Sequence, residues 1–270
     1  MKVIDLSVAI RATDWEPEPI EHKVIGHVEG ARMLGRSYLY FTCKHWLSRL
    51  YARVFRRHLL IEPSQFPDRM GLSLMSYRLS THTGTHIDSP WHYGWREGAA
   101  EPPTITDLPL EQFYGDGVLL DVSAGAGRID ALELEQAAQR AGHVFKPGEI
   151  ALVRTGADAL YGSREYFCQY RYFSPEAITW LIAQGVKVIG TDAFSFDAPF
   201  TQMIDSYLAS GNASTLWPAH FIGRDTPYAQ IERLANLGDL PRPRGFKVSC
   251  FPIKLDKADA AWCRAVALFE

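Results

Sequence analysis

At 270 residues, with 47% apolar and 22% charged side chains, the chain can bury a sizeable core and has an ordinary globular composition. Its net charge of −3 sets up no long-range field for polyanions, which argues against a nucleic-acid partner. Met1 to Leu6 lacks the apolar stretch of a secretory signal, and no apolar run is long enough to span a bilayer. These features imply a cytoplasmic protein with reduced thiols and no membrane partner. Its four cysteines (Cys43, Cys168, Cys250, Cys263) lack CxxC spacing; Cys250 and Cys263 could face each other if their segments pair, but under reducing conditions they read as small buried hydrophobes.

In chain order, Val3 to Ile10 alternates as a first strand, and Asp14 to Pro19 breaks both ladders with two prolines and acids. Residues 38–43 are rich in β-formers. From Lys44 to Leu60, Trp46, Leu47, Leu50, Tyr51, Val54 and Phe55 recur at helical spacing among Arg49, Arg53, Arg56 and Arg57. Leu72 to Leu79 reads as a strand leading into a histidine-rich segment, followed by strands at Gly117 to Val122 and Ile150 to Arg154. Helices are predicted over Ala131 to Ala141 and Pro175 to Gln184, the second capped by Ser174. Val186 to Thr191 is apolar enough for a central strand, and residues 201–209 suit a short helix. Tyr228 to Leu234 looks helical, whereas Phe246 to Leu255 and Arg264 to Phe269 look like two late strands. The economical reading is one α/β domain over residues 1–270, with a helical insertion near 44–60.

The chemistry concentrates in His82-Thr83-Gly84-Thr85-His86-Ile87-Asp88-Ser89-Pro90-Trp91-His92. In an extended segment residues two apart share a face, so His82, His86 and Asp88 project together while Gly84 leaves space between them. Two imidazoles and a carboxylate suit a divalent cation, zinc first and manganese second. Thr83 and Thr85 point the other way and can fix the backbone. His92, beyond the turn at Pro90, is placed to accept a proton from a water activated by the ion and pass it to a leaving group. A lone histidine in a strand is usually structural. Three of the chain's nine histidines within eleven residues, interleaved with an aspartate, are harder to assign to packing.

This segment resembles the HxGTHxDxPxH signature of the cyclase family, which includes bacterial kynurenine formamidase and isatin hydrolase. Ile189 to Asp197 is similar to the family's G-x-D-x-x-S-x-D segment, and His220 followed by Glu232 matches its late histidine and glutamate. The resemblance implies a swivelling β/β/α fold with a mixed central sheet, and a homodimer or homotetramer acting on a small molecule. It implies His82, His86, Asp88, His220 and Glu232 as metal ligands and His92 as general acid/base. Trp15 takes the place of a pocket tryptophan, although Glu16-Pro17 departs from the usual Trp-Pro-Gly, and Trp91 beside the motif is a second substrate contact. Asp192 and Asp197 read as residues that hold an imidazole tautomer or a turn rather than as ligands.

Three functions fit these residues. The first is hydrolysis of an amide, lactam or related acyl bond of a small aromatic substrate. The second is a cyclase or dehydratase in natural-product synthesis, using the metal as a Lewis acid, for which the insertion and the aromatic excess are the cues. The third is a non-catalytic metal- or ligand-binding protein, against which an intact His92 argues. One fold hosts several chemistries, so the scaffold alone does not choose among them.

Overall fold

A computed structural model describes residues 1–270. It comprises two compact units, Met1–Glu18 with Ser80–Glu270, and Pro19–Leu79. β1 (Lys2–Asp5) begins the larger unit, and the smaller one holds β2 (Glu21–Ile25), α1 (His27–Thr42), α2 (Trp46–Phe55) and β3 (Leu74–Arg78). The larger unit resumes with β4 (His86–Asp88), β5 (Tyr114–Asp121), β6 (Arg128–Ile129), α3 (Ala131–Arg140), β7 (Ile150–Arg154), β8 (Tyr172–Phe173) and α4 (Pro175–Ala183). It ends with β9 (Val188–Thr191), α5 (Phe200–Ser210), β10 (Ala229–Glu232), β11 (Phe246–Ser249), β12 (Ala260–Trp262) and β13 (Val266–Phe269). No helix is long and apolar enough to cross a membrane.

The larger unit is built on one nine-stranded sheet in the order β1-β13-β11-β5-β7-β9-β10-β4-β12. β5, β7, β9 and β10 run parallel, and the strands on either side are antiparallel. This is the mixed α/β architecture implied by the sequence, and β9 takes the central place expected of its apolar run. Residues along each inner strand alternate between two cores. Val118, Leu120, Ala151 and Val153 pack with Leu134, Ile178 and Leu181 of α3 and α4, whereas Leu119, Ile150 and Leu152 meet Ile231, Val248 and Ala267 on the opposite face. Leu134, Ile178 and Leu181 are wholly buried, each stabilising the helix layer by about 1.5–3 kcal/mol. Ser174 caps α4 by accepting a hydrogen bond from Ala177 N, and Pro175 occupies the first turn.

Two local expectations are corrected. The β-rich run 38–43 continues α1 through Thr42. Gly30, Ala31 and Gly35 form a bare helix face along which residues 61–72 of the same unit return, and Gly71 N donates to His27 O. A side chain at Gly30 or Gly35 would strike the Leu72 or Ile61 carbonyl oxygen, so close approach outweighs local propensity there. The stretch read as helical at Tyr228 to Leu234 contains strand β10, which lies between β9 and β4. Periodicity alone cannot distinguish a short buried strand from a helix turn. The helical insertion expected near 44–60 falls in Pro19–Leu79 as α2, followed by a short 3-10 turn at Arg57–Leu59.

Candidate metal centre

β4 carries His86 and Asp88 on one face, with Ile87 turned into the core. In the sheet register Glu232 of β10 sits opposite His86, so its carboxylate joins the same face. His82 reaches this face from a turn rather than from an extended strand. The turn runs from Ser80 through Gly84 and is closed by Thr83 N donating to Ser80 O and Ser80 N donating to Thr83 Oγ1. Gly84 has a φ of +71°, and a side chain there would meet Ile10, so the glycine serves the turn and its packing rather than the space between ligands. Thr85 points away from the ligand face, donating to Arg233 O and accepting from Val8 N.

Three imidazoles converge here, each anchored through its far nitrogen. His82 Nε2 lies 3.0 Å from Asp259 Oδ2, leaving Nδ1 at 3.2 Å from His86 Nε2 and 3.0 Å from Asp88 Oδ1. His86 Nδ1 bonds to Gly84 O at 2.8 Å, which turns Nε2 toward Asp88 and Glu232 at 3.3 and 3.6 Å. His220 Nδ1 bonds to Asp197 Oδ2 at 2.5 Å, while Nε2 faces Glu232 Oε1 at 3.7 Å. Asp197 also accepts from the backbone N–H groups of Ala219 and His220, so it fixes both the ring and its loop. Asp192 instead braces a turn by accepting from Thr155 and Gly156, and burial pushes its carboxyl up to about 6.

Both oxygens of Asp88 are fully buried without a properly directed hydrogen bond, even though His82 Nδ1 is close to one of them. Burial works to lower the His82 imidazole, but Asp88 and Asp259 outweigh it and push it up to about 10. Burial works to raise Asp88, but His86, His82 and His92 hold it well below the usual carboxylate range. Burial and the Asp88 charge together push Glu232 up to about 8. His86 is lowered by burial, whereas His220 is raised because Asp197 outweighs its burial. Asp259 is pulled down first by its hydrogen bond with His82 and then by the neighbouring His92 imidazole. A cation between these groups would take the place of the protons they compete for. The inward lone pairs, the unpartnered Asp88 oxygens and the tautomer anchors therefore fit a divalent ion.

His92 stands at the mouth, on a short 3-10 turn beginning at Pro90, with its ring centroid 4.3 Å from that of His82 and 5.6 Å from that of His220. Its donor atom lies within 4.8 Å of those of Asp88 and His220, and also of those of His82 and Asp259. A cavity of about 400 Å³ opens beside it, lined by His92, Tyr93, Gly94, Trp217, His220, Phe221 and Arg224.

A family profile described as Putative cyclase matches residues 4–198. The chain belongs to this family. Kynurenine formamidase from Salinibacter ruber is 32% identical over 207 residues, covering 74% of this chain and 81% of its own length. Isatin hydrolase A from Ralstonia solanacearum shares the fold with a TM-score of 0.71 at 21% identity, covering 100% of this chain and 92% of the other. A protein described as a predicted metal-dependent hydrolase from Bacillus stearothermophilus superposes with a TM-score of 0.62 at 19% identity, covering 100% and 98%. The protein is thus an enzyme of the cyclase family.

In this cyclase-family member the structure draws together His82, His86, Asp88, His92, His220 and Glu232. Trp15 and Trp91 are placed differently. Trp15 packs edge-on against Phe167 with centroids 4.9 Å apart, and Trp91 lies beside Trp95 at 6.1 Å, while Trp217 is the tryptophan that lines the cavity. Reading the sequence missed Asp259, which precedes β12 and reaches His82 because β12 pairs with β4. It also missed Arg233, a wholly buried side chain that donates to His82 O at 3.0 Å and to Glu16 Oε1 at 2.6 Å.

Proposed function

We propose that the protein is a metal-dependent hydrolase that cleaves an amide, lactam or related acyl C–N bond in a small aromatic substrate. The observation that carries this reading is the convergence of three tautomer-fixed imidazoles on two carboxylates, one of them with both oxygens unpartnered, beside a histidine at the cavity mouth. His82, His86, Asp88, His220 and Glu232 would hold the ion, with zinc favoured by the imidazole-rich set and manganese accommodated by the carboxylates. When bound, such an ion supplies a Lewis acid that lowers the pKa of water from about 16 to about 7.

The chain's own residues do the rest. Asp259 and Asp197 keep His82 and His220 in the tautomers that face inward. Tyr93, Trp217 and Phe221 give the cavity flat aromatic walls that orient a planar acyl group and displace water from it. His92, with Nδ1 3.6 Å from Asp259, takes the proton released as water adds to the acyl carbon. It returns that proton to the departing nitrogen as the C–N bond breaks, leaving a carboxylate and an amine. The kynurenine formamidases and isatin hydrolases among the relatives support this bond class.

The test is hydrolysis of aryl formamides and lactams by metal-loaded protein in heavy-oxygen water. One heavy oxygen in the acid product is expected, and His92→Ala should keep its metal while turnover falls by about 100-fold or more. Product without solvent oxygen would replace hydrolysis with cyclisation or dehydration, and full turnover in the variant would remove the proton-transfer role.

A further inference from the structure

The cavity beside the metal centre contains a cation that the hydrolytic reading leaves unused. Arg224 lies at the end of the short 3-10 segment that begins with His220, and it lines the cavity together with His92 and His220. Its Nε donates to Tyr93 O at 2.6 Å, and its guanidinium carbon sits 3.2 Å from the centroid of the Phe221 ring. The ring and the carbonyl fix the plane of the fork, leaving both Nη groups without a hydrogen bond or ion pair to protein. The adjacent carboxylate, Asp225, makes no hydrogen bond or ion pair with it. Asp225 is committed to Arg96 through two hydrogen bonds of 2.6 Å each. On the other side, Gly94 has a φ of +70°, and a side chain there would press on Nη2 at 3.3 Å.

A pre-oriented, unpaired guanidinium on an aromatic wall is built to take a planar anion. We infer that Arg224 is a specificity-determining residue that selects substrates carrying a carboxylate remote from the scissile C–N bond. This inference rests on the hydrolase reading for the bond that is cut, but not for the recognition itself. One fork and one unmatched charge call for a single carboxylate, and a cavity of about 400 Å³ suits a one-ring acid.

The experiment compares the 2-, 3- and 4-formamidobenzoates with the equally shaped but neutral nitroformanilides, using metal-loaded wild type, Arg224→Gln and Arg224→Lys. Because each substrate is compared with itself across variants, the intrinsic reactivity of the leaving amine cancels. The charged-to-neutral ratio of kcat/KM is expected to fall by roughly 10- to 100-fold in Arg224→Gln, mainly through KM, and to recover in part in Arg224→Lys. A ratio unchanged by Arg224→Gln would overturn the assignment. A parallel calorimetric titration with the aminobenzoates reads recognition without turnover. Weaker binding in Arg224→Gln supports the role even if no formamide is cut, in which case the hydrolase reading alone fails. Equal binding by both proteins, or none by wild type, would overturn it.

Discussion

Asp197 accepts from two backbone N–H groups and from His220, so replacing it removes an orienter without touching a ligand. Asp197→Asn should weaken metal affinity by about 10–100-fold, read by competition with a chelating indicator. An unchanged affinity would mean that the His220 ring is held by packing alone. The Arg233–Glu16 pair is a second residue-scale test. Both side chains are nearly inaccessible, and the Arg233 guanidinium also lies within 6 Å of the rings of Tyr161, Tyr166, Phe167 and Phe194. Glu16→Gln leaves that cation buried without its counter-ion and should cost about 3–5 kcal/mol in urea unfolding. A cost near zero would show that the aromatic rings and the His82 carbonyl suffice. At this scale the sequence exposed what lies close along the chain. His82, His86, Asp88 and His92 were legible from spacing, and His220 and Glu232 from resemblance. Asp259, Arg233 and Arg224 carry no local pattern, because strand pairing and a cavity wall bring them to the site.

Among the elements, those with strong turn and cap chemistry were the readable ones. Ile150–Arg154 and Pro175–Ala183 match their patterns within a residue, since an apolar run or a Ser-Pro start decides them locally. Ser174→Ala should lower stability by about 1 kcal/mol in chemical denaturation, with no change in metal content. Residues 38–43 and β10 were misread because packing at a glycine face and a place inside a parallel sheet are facts about neighbours. The glycine face offers its own test. A Cβ at Gly35 would sit 1.8 Å from the Ile61 carbonyl oxygen, so Gly35→Val must push the returning segment off α1. Hydrogen exchange should then quicken across α1 and residues 61–72 while β5, β7 and β9 keep their protection. Unaltered exchange in α1 would show that the contact is dispensable.

The larger unit and Pro19–Leu79 differ in how they bury apolar surface. The nine-stranded sheet has a core on each face, whereas in the smaller unit Ile20, Ala31, Leu39 and Ala52 are the buried apolar side chains. Phe41, Trp46, Leu47, Phe55 and Leu72 of that unit are more than 60% exposed, and it carries ten lysines and arginines against four acids. Small units need covering surface to be stable. We therefore expect self-association through this segment, as a dimer or tetramer at micromolar concentration in sedimentation equilibrium. A strict monomer would contradict that expectation. Cys250 and Cys263 are free but buried, and burial pushes both thiols up, Cys263 to about 12, which disfavours the reactive thiolate. The central claim is the metal centre. Elemental mass spectrometry of protein purified without added metal, beside a His82→Ala/His86→Ala control, tests it most directly. Bound zinc or manganese that disappears in the control is the predicted result; no metal in either sample, even after reconstitution, would contradict the account.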